Sequence, residues 1–144
     1  VKKMATITPT LTLTSNASGA TTPGPLSVAL SLSATDEVTV DTVQSKIVTV
    51  SATHAVLWDA SAISDGTQTA GTDGGFLYLK NLTGTSNIYI GYGASAALQA
   101  DDTAIRLMTL LPGEFAWVPW DLNADIIVDA AGAGTLETWY FDRG

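Results

Sequence analysis

A serine and a histidine near the middle of the chain are the first candidates for chemistry. His54 is the single histidine, and Ser51 precedes it by three residues. Nucleophilic catalysis needs a serine within hydrogen-bond reach of a histidine that a carboxylate orients. Side chains three residues apart on a strand point to opposite faces, so this pair does not form a triad. The sequence also lacks a Gly-x-Ser-x-Gly elbow, and we predict no catalytic residue and no enzymatic activity.

Paired carboxylates are the second candidates, because two acids across a cleft can hydrolyse a glycoside. The clusters are Asp36-Glu37, Asp101-Asp102, and Asp121 with Asp125, and all of them lie beside turn signals. An aspartate in a turn usually accepts a local backbone hydrogen bond. The pattern therefore favours a structural role for these acids.

Metal ligands are few. With no cysteine and one histidine, the chain cannot build a thiolate or multi-histidine zinc site. Calcium needs only oxygen ligands, and the loop over 60–75 offers Asp65, Asp73 and several hydroxyls. The spacing of these groups does not match a calcium-binding EF-hand loop. We predict no metal and no cofactor, with calcium at this loop as the alternative.

Composition limits the classes of partner. The chain has 144 residues, of which fourteen are acidic and six basic, and its net charge is −8. Six scattered bases cannot form the cationic stripe that duplex nucleic acid requires, and an acidic surface repels anionic lipid. No strictly apolar run exceeds four residues, so no membrane-spanning segment is predicted. We expect neither nucleic acid nor membrane as a partner.

Apolar and polar residues alternate along most of the chain, a pattern typical of half-buried β-strands. Turn signals about every 8–12 residues between short strands suggest a sandwich or a barrel. We predict an all-β fold, an antiparallel β-sandwich of about 8–11 short strands. The strand candidates are 5–14, 26–34, 37–43, 46–53, 55–59, 75–82, 87–92, 104–111, 115–120, 125–130 and 136–142, and the single helical candidate is a short turn near 94–103.

The N-terminal part differs from the rest. Residues 1–25 carry no charge after Lys3 and end in a run rich in threonine, proline and glycine. We predict a strand with a flexible connector over 1–25, followed by a single β-sandwich domain over 26–144. A sharper hypothesis makes residues 1–25 an arm that adds a strand to a neighbouring subunit, although chain termini are also often loose without a purpose.

Two turn signals are specific enough to predict a geometry. Thr83-Gly84-Thr85 predicts a hairpin between the strands on either side of it. Pro112-Gly113 predicts a type II turn, because proline presets φ at its first central position and glycine accepts the positive φ of the second.

Several strands carry apolar or aromatic residues on both faces. Tyr78, Tyr89 and Trp139 all alternate with apolar neighbours. An antiparallel sandwich in water needs only one apolar face, so either a further part of this chain or another subunit covers the second face. Interfaces are enriched in tyrosine and tryptophan, which fits the subunit. Tyr78, Tyr89 and Trp139 are therefore the candidate subunit contacts.

The tryptophans allow a different hypothesis. Trp58, Trp117 and Trp120 are candidate surface aromatics, and exposed indole rings can act as flat platforms on which a carbohydrate-binding module stacks sugars. The alternative for all three is packing in the core.

The second half of the chain resembles a known group of proteins. A segment that ends in Ile88-Tyr89-Ile90-Gly91 is followed by Leu111-Pro112-Gly113-Glu114, a short strand, a glycine turn and a last strand. This arrangement resembles small all-β structural proteins of tailed-bacteriophage virions. The resemblance covers about half of the chain and implies a jelly-roll-like sandwich, with no enzymatic residue to carry over.

From this resemblance we expect a non-enzymatic capsid decoration or cement subunit located in the virion. Its partners would be other virion proteins, either the major capsid protein or tail proteins, and it would form a homo-oligomer, with a trimer as one option. A tail, baseplate or fibre component is the alternative within the same class. A carbohydrate-binding module is the alternative from another class.

Overall fold

The fold is taken from a computed structural model that describes residues 5–8, 10–14, 27–31, 38–63, 74–93 and 105–143. Contacts between residues divide the chain into a first unit within residues 1–41 and a second unit over 42–143. The domain boundary predicted at residue 25 and the helical turn predicted near 94–103 lie outside the described residues, and both stay predictions.

The first unit contains strands β1 (Ala5–Ile7), β2 (Thr10–Thr14), β3 (Ser27–Ser31) and the beginning of β4 (Val38–Val50). β1 pairs antiparallel with the first residues of β4, and β2 pairs antiparallel with β3. The single strand predicted over 5–14 is therefore two strands. Pro9 stands between them and has no backbone N–H to donate to a ladder.

Within its described residues, the second unit holds the rest of β4, seven further strands and one short helix. These elements are β5 (Ala55–Trp58), α1 (Ala60–Ile63), β6 (Gly75–Asn81), β7 (Ile88–Tyr92), β8 (Arg106–Leu110), β9 (Phe115–Trp120), β10 (Ile126–Ala130) and β11 (Gly134–Arg143). The sequence separates 37–43 from 46–53, but β4 runs through both segments. Its residues 42–45 are exposed, so their polarity marks an exposed strand rather than a turn.

The strands of the second unit form two antiparallel sheets. Sheet I has the order β4-β11-β6-β9 and sheet II has the order β5-β10-β7-β8. The first of these eight strands therefore pairs with the last, the second with the seventh, the third with the sixth, and the fourth with the fifth. This order is the eight-strand jelly roll. The prediction of an antiparallel, jelly-roll-like sandwich is confirmed.

The two sheets bury one common core. Leu77 and Leu79 of sheet I and Ile88 and Ile90 of sheet II have no exposed surface. Alternation along β6 and β11 sends every second side chain into this core, as the period of two requires. The remaining side chains of sheet I point away from it.

The hairpin predicted at Thr83-Gly84-Thr85 is wrong, because β6 belongs to sheet I and β7 to sheet II. The Asn81 side chain shapes this crossing. Its amide nitrogen donates to the Ser86 carbonyl at 2.8 Å and to the Leu110 carbonyl of sheet II at 3.0 Å, and its oxygen accepts the Thr83 N–H at 2.9 Å. A local turn signal predicts that the chain changes direction, but it does not predict which sheet the next strand joins.

The turn after β8 has the predicted geometry. Gly113 has a φ of 81°, and the Glu114 N–H donates to the Leu111 carbonyl at 3.0 Å, as in a type II turn. The Glu114 carboxylate also accepts the Leu111 N–H at 2.8 Å. The Gly113 N–H donates to the Asn81 carbonyl at 3.0 Å, so the turn is tied to the end of β6.

Candidate functional site

The outward side of sheet I carries a group of aromatic side chains. In β6, Phe76 and Tyr78 alternate with buried leucines and so point away from the core. β11 presents Trp139 and Phe141 on the same side, and β9 presents Trp117. We call the outward side of sheet I the aromatic face. Its six aromatic residues are Phe76, Tyr78, Phe115, Trp117, Trp139 and Phe141.

Strand register arranges these side chains in rows across β11, β6 and β9. The middle row is Trp139, Tyr78 and Trp117, which are direct cross-strand partners. On one side of it lies the row of Phe141, Phe76 and Pro119, and on the other side the row of Glu137, Lys80 and Phe115. Direct partners on one face of a sheet are close enough for their side chains to interact. The register therefore makes these residues one continuous surface.

The rings contact one another. Phe76 stacks on Trp117 with centroids 5.3 Å apart and an interplanar angle of 12°, and Trp117 also packs at 5.0 Å against Phe141. Trp139 stacks on Phe141 at 6.3 Å, and Tyr78 lies 6.2 Å from Phe115. Such pairs hold each other in place, so the aromatic face is a preformed surface.

Much of this surface is open to solvent. Phe115 is 55% exposed and Trp139 is 37% exposed, and on β4 the neighbouring Ile47 is 67% exposed. Ser45, Lys46, Ile47, Glu137 and Trp139 line a shallow groove between β4 and β11. Four strands about 4.8 Å apart and about 23 Å long give a flat area of roughly 440 Å². This is the area of the whole outward side of the sheet, charged and polar side chains included, and exposed apolar side chains grouped on one surface often mark a binding site.

The aromatic face is poor in acids although the chain is acidic. Among the outward residues of sheet I, Glu137 is negative, and Lys80 and Arg143 are positive. The Arg143 guanidinium lies 4.7 Å from the centre of the Phe76 ring, and the Trp139 indole N–H donates to the Glu137 carboxylate at 3.0 Å. The charges therefore surround the aromatic group and do not interrupt it.

The free edges of both sheets carry features that discourage strand addition. In sheet I, the edge strand β9 contains Pro119. On the opposite side β1 pairs with the start of β4, and further along β4 the Lys46 amine points inward, 3.9 Å from the centre of the Trp58 ring. In sheet II, the β7–β8 register shifts by one residue at Leu107, and β5 has only four residues. Proline, inward charge, bulges and short strands all protect edges. The face of sheet I has no such protection.

Tyr78 and Trp139, two of the three predicted subunit contacts, lie together on the aromatic face. Tyr89, the third, lies apart from them in sheet II, where the Arg106 guanidinium stands 4.3 Å from the centre of its ring. The sequence analysis did not single out Phe115 and Ile47. Counting in twos from Trp117 would have found Phe115, whereas Ile47 lies in a segment that the sequence divides between two strands.

Two of the three predicted surface aromatics are in the core. Trp58 is 5% exposed and Trp120 is 3% exposed, so neither offers a platform to a ligand. A buried indole needs a partner for its N–H. Trp58 donates to the Thr138 hydroxyl at 2.9 Å and Trp120 to the Ala124 carbonyl at 2.9 Å. Of the three, Trp117 alone lies on the outward side of its sheet.

The candidate chemical groups have structural partners where they are described. The Asp121 carboxylate accepts the Asn123 N–H at 3.1 Å and the Tyr92 hydroxyl at 3.0 Å, and Asp125 accepts the Ala60 N–H at 2.9 Å. Burial and the nearby Asp121 raise the pKa of the Tyr92 hydroxyl. The acids at 36–37 and 101–102, and Asp65 and Asp73 of the loop considered as the alternative calcium site, lie outside the described residues.

Among the residues described, no three histidine or carboxylate side chains lie together as a metal would require. None of the helices in the described part of the chain is long and apolar enough to cross a membrane. Comparison of the chain with protein-family models, with curated proteins and with solved structures finds no significant match. The geometry of the aromatic face is therefore the ground on which a function can be proposed.

Proposed function

We propose that this chain is a non-enzymatic structural subunit of a tailed-bacteriophage virion, where it decorates or cements the capsid through protein–protein contacts. The observation that carries the proposal is the aromatic face, six preorganised rings on the outward side of a sheet whose edges are protected. The jelly roll supports it, since viral capsid domains use this architecture, as do lectins and cupins.

The composition of the aromatic face matches that of a protein interface. The cores of interfaces are enriched in tyrosine, tryptophan, phenylalanine and arginine, and are depleted of aspartate and glutamate. Rings that already pack on one another lose little side-chain freedom when a partner covers them, so binding costs less. On a particle with many equivalent positions, repetition turns a weak contact into stable attachment.

Carbohydrate binding is the second candidate, because jelly rolls also serve as lectins and because Trp117 and Trp139 stand on an exposed sheet. The ring packing argues against it. Phe76 covers one face of the Trp117 ring, and Phe141 stacks on Trp139. A sugar platform requires an open ring face, and stacking takes up one of the two faces of each indole, whereas a protein partner can use ring edges and the surface as a whole.

A particle-binding experiment tests the proposal. The particles are those of a tailed phage whose virion proteins include this chain, and the native copies are first stripped from them. The fluorescently labelled chain is then mixed with these particles, and the amount bound is measured by sedimentation. We expect Trp117→Ser with Trp139→Ser to weaken binding at least about thirty-fold, since one hot-spot side chain contributes about 2 kcal/mol or more.

The matched control is Val56→Ser with Leu107→Ser, which removes exposed apolar side chains from sheet II. This control should bind particles like the unchanged protein, and thermal unfolding should show that both double variants fold. Equal binding by both variants contradicts the use of the aromatic face, and no binding by the unchanged chain contradicts capsid decoration. A glycan array separates the carbohydrate alternative, which requires binding that is lost in Trp117→Ala.

A further inference from the structure

The partner of the aromatic face must match its charges. Glu137 on β11 lies directly opposite Lys80 on β6, and Arg143 lies at the end of β11. In a two-fold symmetric interface the same patch meets itself, so an acid on the patch needs a base on the same patch. Among its described side chains the aromatic face carries one acid and two bases, so it can satisfy itself in this way.

Long-range charge points to the same surface. Each chain has a net charge of −8, so two copies repel each other over most approach directions. The outward side of sheet I has two bases and one acid among its described residues, and is therefore a surface through which two copies meet without this repulsion. At physiological salt the Debye length is about 8 Å, so the charges within the contact itself dominate the electrostatic interaction between two touching copies.

Protected edges determine how two copies can be arranged. Pro119 on β9 and the inward-pointing Lys46 on β4 oppose the joining of sheet I edge to edge with another sheet. A contact through the flat side of the sheet has no such obstacle. Two sheets that pack face to face form a closed pair, whereas addition of strands at the edge would continue into a fibre.

We infer that the aromatic face binds the aromatic face of a second copy of this chain and forms a two-fold symmetric, face-to-face dimer. The inference rests on the proposed function and deepens it, because it assigns the aromatic face to the contact between two copies, so that the capsid meets a pair of chains and loses the added strength of that pair when the face is altered. The flat area of roughly 440 Å² is about half of the roughly 800 Å² that each partner contributes to a standard interface. We expect a dimer with so small a contact to dissociate on dilution.

Sedimentation velocity over a dilution series tests the dimer. The unchanged chain should move from 14.9 kDa to twice that mass as its concentration rises through the micromolar range. Trp139→Glu should remain a monomer, because it places a negative charge in the middle row of the aromatic face. Leu107→Glu, the control on sheet II, should form a dimer like the unchanged chain.

A mixing experiment tests whether the partner is a second copy with complementary charges. Glu137→Lys makes the described charged residues of the aromatic face all basic, and Lys80→Glu with Arg143→Glu makes them all acidic. Each variant alone should be monomeric at concentrations where the unchanged chain is dimeric. An equal mixture should restore the dimer, and raising the salt to 1 M should weaken this mixed dimer at least ten-fold.

The inference is overturned by a chain that stays monomeric at every concentration, by a mass of three chains, or by a dimer that tolerates Trp139→Glu. The particle assay separates this failure from that of the proposed function. A monomer that binds particles through Trp117 and Trp139 overturns the dimer and supports decoration. A dimer that ignores particles supports the inference and contradicts decoration.

Discussion

Asn81 shows how one buried polar side chain can hold two sheets together. It has no exposed surface, and its side chain makes three hydrogen bonds to backbone groups, including the Leu110 carbonyl of the other sheet. We expect Asn81→Ala to lower the free energy of unfolding by about 2–4 kcal/mol, because buried backbone groups lose their partners. Urea unfolding measures this change, and the exposed Asn123→Ala should change stability by less than about 0.5 kcal/mol. Equal effects would contradict the role of Asn81.

Tyr140 makes stability sensitive to alkaline pH. Its ring is fully buried and its hydroxyl donates to Asp142 at 3.0 Å. Burial, followed by the Asp142 charge, raises the pKa of the Tyr140 hydroxyl far above its usual value. A raised folded-state pKa gives stability that is fully present below pH about 10, where the unfolded tyrosine is neutral, and that is lost as the pH rises further.

We therefore expect the stability of the unchanged protein to fall above pH about 10, and Tyr140→Phe to reduce this slope by up to about 1.4 kcal/mol per pH unit. Chemical unfolding at a series of pH values between about 9 and 11.5 measures both slopes. The same slope in the two proteins would show that Tyr140 ionises equally easily in the folded and unfolded states.

The sequence alone distinguishes buried from exposed tryptophans only in part. Counting in twos along β9 places Trp117 and Trp120 on opposite faces, so at most one of them could be a surface platform of that strand. The sequence does not say which face is outside, because both faces carry aromatic residues. The Trp120 N–H reaches the Ala124 carbonyl across a turn in which Leu122 has a φ of 57°, and no sequence pattern announces that contact.

At the scale of the elements, several features of the described edge strands discourage pairing with another chain. Lys46 on β4 is the clearest case, because its amine points inward. Partial burial of this amine lowers its pKa. The amine donates to the Leu57 carbonyl and lies over the Trp58 ring. An inward lysine on an edge strand opposes pairing with another chain, since pairing would bury its charge further.

Replacing this lysine should expose the edge. We expect Lys46→Val to fold but to form higher-mass species at concentrations where the unchanged chain is a monomer or a dimer. Lys46→Arg keeps the inward charge and should behave like the unchanged chain. Light scattering after size-exclusion chromatography distinguishes the two variants. A Lys46→Val variant without such species would mean that Lys46 does not protect the edge.

Element prediction succeeded where the pattern is local and failed where it depends on the sheet. Alternation located the strands from β5 to β11 within a few residues, and the Pro112-Gly113 turn has the geometry that its residue types require. The connection after Asn81 was assigned to a hairpin because its turn residues are the same as those of a crossing between sheets. Which sheet a strand joins is decided by distant contacts such as the bond from Asn81 to Leu110.

At the scale of the whole molecule, the fold and the aromatic face make a consistent picture. The eight-strand order closes one core and leaves six aromatic side chains on the outward side of sheet I. The sequence predicted strands with apolar or aromatic residues on both faces. This prediction favoured contact with other proteins as the leading hypothesis.

A density map of assembled particles that carry this chain, obtained by electron microscopy, tests most directly whether the aromatic face is a protein contact. The account predicts that the jelly roll can be placed with Trp139 and Phe115 covered by protein, either a second copy or a capsid subunit. A map in which every copy turns the outward side of sheet I to solvent and attaches through other surfaces would contradict it.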